Sequence, residues 1–236
     1  MIDKALLTEK CREFGVEITP SVADKLDIYA EFLVEYNENV NLTAITDPEG
    51  IAIKHFADSL VPFGEIETSG LSVIDVGTGA GFPSVPLKTH DESIKLTLLD
   101  SLNKRIVFLQ KLCEKMGLKD VKFVHGRAEE VGRKPEFREK YDIATARAVA
   151  SLRELAEYCL PFVKVGGIFV SLKGGDCEEE IEQAKNAIKL LGGKIIDVKK
   201  YKLSDDANRS VIIIQKVSQT PPKYPRQSAK IAKSPL

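Results

Sequence analysis

The sequence predicts an α/β fold: a mostly parallel seven-stranded sheet with a C-terminal antiparallel hairpin, preceded by a helical N-terminal extension. Three observations predict it. From residue 71, short apolar runs at 71–76, 94–99, 121–125, 141–146 and 167–172 alternate with segments of helical period, notably 102–116 and 151–160. That alternation calls for parallel strands joined by helices on both faces of a sheet. The last two apolar runs, 194–203 and 209–217, are separated only by the polar turn SDDAN, which leaves no room for a crossover helix, so they pair antiparallel. Finally, the first strand breaks into a glycine-rich turn, VIDVGTGAGFP at 73–83.

Ahead of the sheet, residues 1–62 read as helical. Thr19 is placed to cap a helix with Pro20 at its first position, and Val22, Leu26, Tyr29, Leu33 and Tyr36 recur at steps of four and three on one face. The polar stretch NENVNLTAITDPEG interrupts, and a second helix is expected from about residue 48 to 61. Three regions follow: the extension at 1–62, the α/β domain at 63–217 and a tail at 218–236. The tail holds Lys223, Arg226, Lys230 and Lys233 and no acid, so it carries +4 of a total of −1 and leaves −5 on the rest. Pro221, Pro222, Pro225 and Pro235 argue against regular structure there, and a flexible basic tail is expected. Such a tail suits an anionic partner such as nucleic acid, or simply a solubilising terminus.

A chain of 236 residues with 43% hydrophobic content can bury one large core. It has no run of eighteen apolar residues to cross a membrane, and its N-terminus, MIDKALLTEKCREFG, is too charged for a secretory signal. Cys11, Cys113, Cys159 and Cys177 form no C-x-x-C pair, which speaks against zinc or a disulfide framework and for a reducing cytoplasm. No Ser-His-Asp pattern, H-x-x-x-H or G-K-[ST] loop supports hydrolase, zinc or P-loop chemistry.

Candidate site residues cluster at predicted strand ends. Gly77, Gly79 and Gly81 let the chain turn sharply and let a ligand approach the backbone. The spacing is not the dinucleotide G-x-G-x-x-G, because Phe82 stands at the third glycine position. Asp100 closes the second strand, 23 positions after Gly77, where a carboxylate can accept both hydroxyls of a ribose, or else cap the next helix. Ala128 and Glu129 follow the third strand and could hold an adenine edge, or be a solvated first helical turn. Arg147 ends the fourth strand and could equally pair with a surface carboxylate. Together these features favour S-adenosyl-L-methionine over NAD, since no pyrophosphate needs a third glycine. For a methyl transfer, the absence of Pro-Cys argues against attack by a pyrimidine carbon. ARAVAS in place of N-P-P-[YF] argues against an exocyclic amine. A lone-pair nucleophile without a proton, such as guanine nitrogen 7, remains; it needs placement rather than a base.

The strings NLTAI (41–45), KHFADSL (54–60), VIDVGTGAGFPSVPL (73–87), LLDSLNKRIVFL (98–109), GRAEE (126–130), ARAVASL (146–152) and LKGG (172–175) occur in the order seen in one family. The chain resembles, over essentially its whole length, the bacterial small-subunit ribosomal RNA guanine-N7 methyltransferases, also called glucose-inhibited division protein B. It departs at SVP (84–86), where G-[IL]-P is commoner. The resemblance implies a Rossmann-like class I S-adenosylmethionine-dependent methyltransferase fold and methylation of a guanine in 16S ribosomal RNA. It implies no metal and no membrane, and a monomer is expected. It implies cofactor contacts from Gly77, Gly79, Phe82, Ala128, Glu129 and Arg147, with Asp100 on the ribose. It further implies that Asn41, Thr43, His55 and Asp58 form one wall that places the guanine or orders the glycine loop. Lys104, Arg105, Lys173 and Arg209, with Lys223 and Arg226 of the tail, are candidate contacts to RNA phosphates. A methyltransferase acting on a small molecule or protein, and a non-catalytic cofactor-binding module, are the rival readings.

Overall fold

The computed structural model describes residues 1–147, 150–204 and 207–236. Seven strands form one sheet in the order β3-β2-β1-β4-β5-β7-β6. β1 (Ser72–Val76), β2 (Lys95–Asp100), β3 (Val121–His125), β4 (Tyr141–Arg147) and β5 (Val163–Gly174) run parallel. β6 (Gly193–Ser204) and β7 (Ala207–Lys216) form the antiparallel hairpin, with β7 inserted beside β5. Asp205 and Asp206 of the predicted turn, and Ala148 and Val149 of ARAVASL, lie outside the described residues. The strand order reverses between β1 and β4, and in such a sheet the ligand crevice opens beyond the carboxyl ends of those strands.

The extension comprises α1 (Lys4–Glu13), α2 (Pro20–Val40) and a helical stretch over 48–63. Thr19 caps α2 by accepting a hydrogen bond from the Val22 amide, with Pro20 at the first turn. The apolar face of α2 buries Leu26, Tyr29 and Leu33 completely, in one core with Phe82, Phe108 and Leu109 of the α/β layer. Each such burial is worth about 1.5–3 kcal/mol, so the extension is fastened to the sheet rather than appended to it. The stretch after residue 48 is not a plain α-helix as expected. α3 (Pro48–Gly50) passes into a π-helix over Ile51–Ala57, then α4 (Asp58–Leu60) and a 3₁₀ turn, Val61–Phe63. In the π segment only Lys54 is not buried, and the wider turn aims both His55 and the following Asp58 inward.

The connecting helices are α5 (Ser84–His90), α6 (Asn103–Lys115), α7 (Ala128–Val131), α8 (Leu152–Cys159) and α9 (Glu178–Leu190). α8 and α9 cover the face opposite the extension, in a second core with Phe162, Phe169 and Tyr224. Tyr224 belongs to the tail, and here the expectation of flexibility is corrected. Thr220, Tyr224 and Ile231 are buried, and α10 (Ser228–Lys233) forms near the end. The prolines keep the segment out of regular structure until α10, but Arg138 and Arg133 bind its carbonyls and a buried acid, Glu157, binds Arg226. Composition shows the charge of a segment, not the buried carboxylate that neutralises it.

Candidate active site

Three glycines carry the turn after β1 in left-handed conformations, with φ of 73° at Gly77, 61° at Gly79 and 102° at Gly81. Gly77 and Thr78 amides donate to Leu99 O at 2.9 and 3.1 Å, and the Gly79 amide donates to Asp100 Oδ2 at 2.9 Å. The loop is thereby sewn to the end of β2. Gly81 is required sterically as well: a Cβ there would meet Leu109, Val85 and the Tyr29 hydroxyl within 3 Å. That hydroxyl donates to Ala80 O, so α2 of the extension grips the loop directly. Tyr29 reads in the sequence only as one more residue on an apolar face; its contact with a loop 51 positions away leaves no local signal.

Asp100 accepts from Leu102 N at 2.8 Å and from Arg105 Nη1 at 3.3 Å in addition to Gly79. It does not cap α6, whose cap position is Leu102. Beside it a cleft of ≈ 200 Å³ is lined by Gly77, Asp100, Ala128, Glu129, Tyr158 and Ser228, among others. The cleft pairs two carboxylates with an aromatic wall and open backbone, which fits the ribose and base of a nucleoside. A larger depression of ≈ 770 Å³ lies elsewhere, by Gly15 and Glu65–Thr68. Its lining includes Glu17, Glu65, Glu67, Asp91 and Glu92, and it sits at the opposite ends of the strands, so topology and charge both favour the smaller cleft.

Beneath the loop, Asp75 is completely buried and accepts from Thr78 Oγ1 at 2.8 Å through Oδ2. Its Oδ1 and the Ser84 hydroxyl oxygen have no partner at hydrogen-bonding geometry. Burial pushes the Asp75 pKa up to about 7, although Ser84, Thr78 and Arg147 draw it down. The sequence marks Asp75 as the acid that ends the strand but gives no sign of that strain.

A second cluster adjoins the loop around Phe82. The Phe82 ring stacks on Tyr29 (5.2 Å between centroids) and His55 (4.4 Å), with the Arg147 guanidinium 4.7 Å from its centre. Phe82 and Arg147 are therefore not walls of the 200 Å³ cleft; they join the loop to the extension. His55 Nε2 pairs with Thr43 Oγ1 at 2.8 Å, and burial together with Arg147 lowers the ring's pKa to about 4, leaving it neutral. Arg147 Nη1 lies 3.4 Å from Asp58 Oδ2, and Arg209 Nε donates to Asp58 Oδ1 at 2.7 Å. Asp58 thus joins two guanidinium groups, one from the end of β4 and one from β7. Thr43 is positioned by Asn37, whose amide binds Leu42 N, Thr43 N and Thr43 O. Asn41 stands apart: exposed, with φ of 50°, it closes α2 as a left-handed cap.

The predicted phosphate contacts divide in two. Lys104 is exposed with its ammonium at Val40 O, Arg105 is one-third exposed beside Asp100, and Lys223 is exposed over the Tyr224 ring. Lys173 is corrected: only 10% of its side chain is exposed, and it binds Glu180 at 2.7 Å and Ala150 O. It ties β5 to the start of α8, where Glu180 also accepts from Leu152 N. Arg226 is corrected likewise, being spent on Glu157. A cation committed to a buried or half-buried acid has little left for a phosphate. Among the described residues no cluster of metal-ligating side chains occurs, and no helix is long and apolar enough to cross a membrane.

The architecture matches solved structures at low identity. TYW2 of M. jannaschii, determined in complex with AdoMet, has a TM-score of 0.56 at 16% identity, covering 74% of this chain and 80% of that one. TrmN from Thermus thermophilus has 0.52 at 16%, covering 70% and 53%. These show the shared Rossmann-like methyltransferase fold. The sequence comparisons are closer. The ribosomal RNA small subunit methyltransferase G of Alkaliphilus metalliredigens is 49% identical over all of both chains. That of Acetivibrio thermocellus is 51% identical over 99% of this chain and 96% of its own. The family model described as GidB, rRNA small subunit methyltransferase G, matches residues 22–211, and the chain belongs to that family.

Proposed function

We propose that the chain transfers a methyl group from S-adenosyl-L-methionine to ring nitrogen 7 of a guanine in 16S ribosomal RNA. The observation that carries the reading is the juxtaposition, through one glycine loop, of a nucleoside-sized cleft and a cationic cluster. The cofactor supplies an electrophilic methyl group when bound. Asp100, Ala128 and Glu129 would hold its ribose and base, and the loop backbone would keep the reacting end ordered. Phe82, His55 and Arg147 pack together beside the loop and fix its shape, while the exposed Lys104 and Lys223 supply charge that attracts the RNA backbone. His55 is neutral and already paired with Thr43, so its role is placement. A guanine N7 lone pair carries no proton, and alignment with exclusion of water is all that the protein must supply.

The test is transfer of tritiated methyl from the cofactor to small ribosomal subunits lacking the modification. The expected product is 7-methylguanosine on digestion; label elsewhere, or none, overturns the reading. The phosphate contacts are tested separately. Lys104→Ala should weaken RNA binding and reduce its salt slope by about one unit. Lys173→Ala should leave that slope unchanged and lower the melting temperature instead, since it opens the β5–α8–α9 junction. Fluorescence anisotropy over a salt series, with a thermal melt of each variant, distinguishes the two.

A further inference from the structure

We propose that the C-terminal strap, residues 220–236, is a working wall of the cofactor cleft, held in place by the buried Glu157–Arg226 pair. This rests on the reading of the ≈ 200 Å³ cleft as the place of the nucleoside. The strap contributes Ser228 to the lining, next to Arg127, whose Nη1 lies 3.4 Å from the Ser228 hydroxyl. The lining also includes Tyr158, the chain neighbour of Glu157. One acid on α8 therefore bears on two lining residues: Tyr158 adjoins it in sequence, and Ser228 follows its partner Arg226 by two residues.

The fastening is strong. Glu157 is fully buried and accepts from Arg226 at the backbone amide (2.7 Å), Nε (2.9 Å) and Nη2 (2.6 Å). Such a carboxylate without its cation would be an uncompensated buried charge, which favours the latched strap. Further back, Arg138 Nη2 donates to Thr220 O at 2.7 Å and its Nη1 to Tyr224 O at 2.9 Å, while Arg133 reaches Lys223 O at 3.0 Å. Three arginines of the body and the tail thus serve attachment. A wall ordered before the ligand arrives spares the ligand the cost of ordering it. Arg226 of the tail therefore acts on cofactor affinity, not on RNA.

The experiment measures the dissociation constant of S-adenosylhomocysteine by calorimetry, steady-state kinetics in both substrates, and amide exchange of the strap. Arg226→Gln should weaken the ligand about tenfold and raise KM for the cofactor in parallel. The KM for RNA and kcat at saturating cofactor should stay within about twofold, a split that general destabilisation would not produce. By reciprocity the ligand should slow exchange across residues 220–234 in the wild type. Ser228→Tyr leaves the latch intact and fills the wall, so it must also weaken the ligand, and it decides the matter should Arg226→Gln not fold. Ala128→Trp tests the cleft from its other side. If that variant binds as the wild type does, or the wild type does not bind, the placement of the nucleoside fails and the proposal with it. If Ala128→Trp abolishes binding while Ser228→Tyr and strap exchange show no effect, the strap alone is overturned.

Discussion

Replacing Asp58 with alanine should lower stability by about 3 kcal/mol and slow methyl transfer about 100-fold at saturating cofactor. The carboxylate is only 5% exposed and is shared between Arg209 at 2.7 Å and Arg147 at 3.4 Å. Without it, two guanidinium groups confront each other across a mostly buried gap. Arg209 already disfavours the charge on Arg147, and burial does so more strongly; Asp58 is the chief offset. Arg147 would then leave its seat over Phe82 and beside His55, and the packing that joins the glycine loop to the extension would loosen. Asp58→Asn keeps an oxygen for Arg209 but loses the charge, and its effects should fall between those of alanine and the wild type. Urea denaturation gives the stability change, and single-turnover rates give the second. If stability falls and the rate does not, Asp58 is structural and the cluster takes no part in placing the guanine.

Why Asp58 should matter was only partly legible beforehand. KHFADSL shows a His and an Asp three apart, which on an α-helix share a face. The π-helix that buries both was not visible, because its apolar content reads equally well as an α-helix buried all round. The sheet was legible throughout, since its signals are local: apolar runs, glycine turns, and a connection too short for a crossover. That Asp100, Ala128 and Glu129 gather at one cleft was legible for the same reason, since each stands at or just after the end of a strand. The fates of Lys173 and Arg226 were not. Their partners lie seven and 69 positions away, and no property of a lysine at a strand end or an arginine in a proline-rich tail reveals a carboxylate across the fold. The tail's net charge points outward to RNA, whereas the buried Glu157 draws Arg226 inward.

Asp75→Asn is expected to stabilise the protein above neutral pH by roughly 2–4 kcal/mol while weakening cofactor binding. The folded pKa of about 7 lies above the ordinary carboxylate value of 3.8, with burial as the largest cause. Between those values the folded state holds a proton that the unfolded state has released. Wild-type stability therefore falls as pH rises from about 4 to about 7 and is level above that. Asparagine removes this penalty. Its carbonyl can still accept from Thr78, and its amide can donate to Ser84 Oγ, which lacks a partner. The pH dependence of stability should flatten across that window, as urea denaturation at a series of pH values would show. On the proposed function, attraction for a positively charged cofactor offsets the acid's cost in stability. S-adenosylmethionine carries a sulfonium and an ammonium, and positive charge entering near Asp75 draws its proton off. Wild-type affinity should then tighten as pH rises through about 7, and the variant's affinity should be weaker and independent of pH over that range. A stabilised variant with undiminished affinity would mean that Asp75 shapes the loop and does not answer to the cofactor's charge.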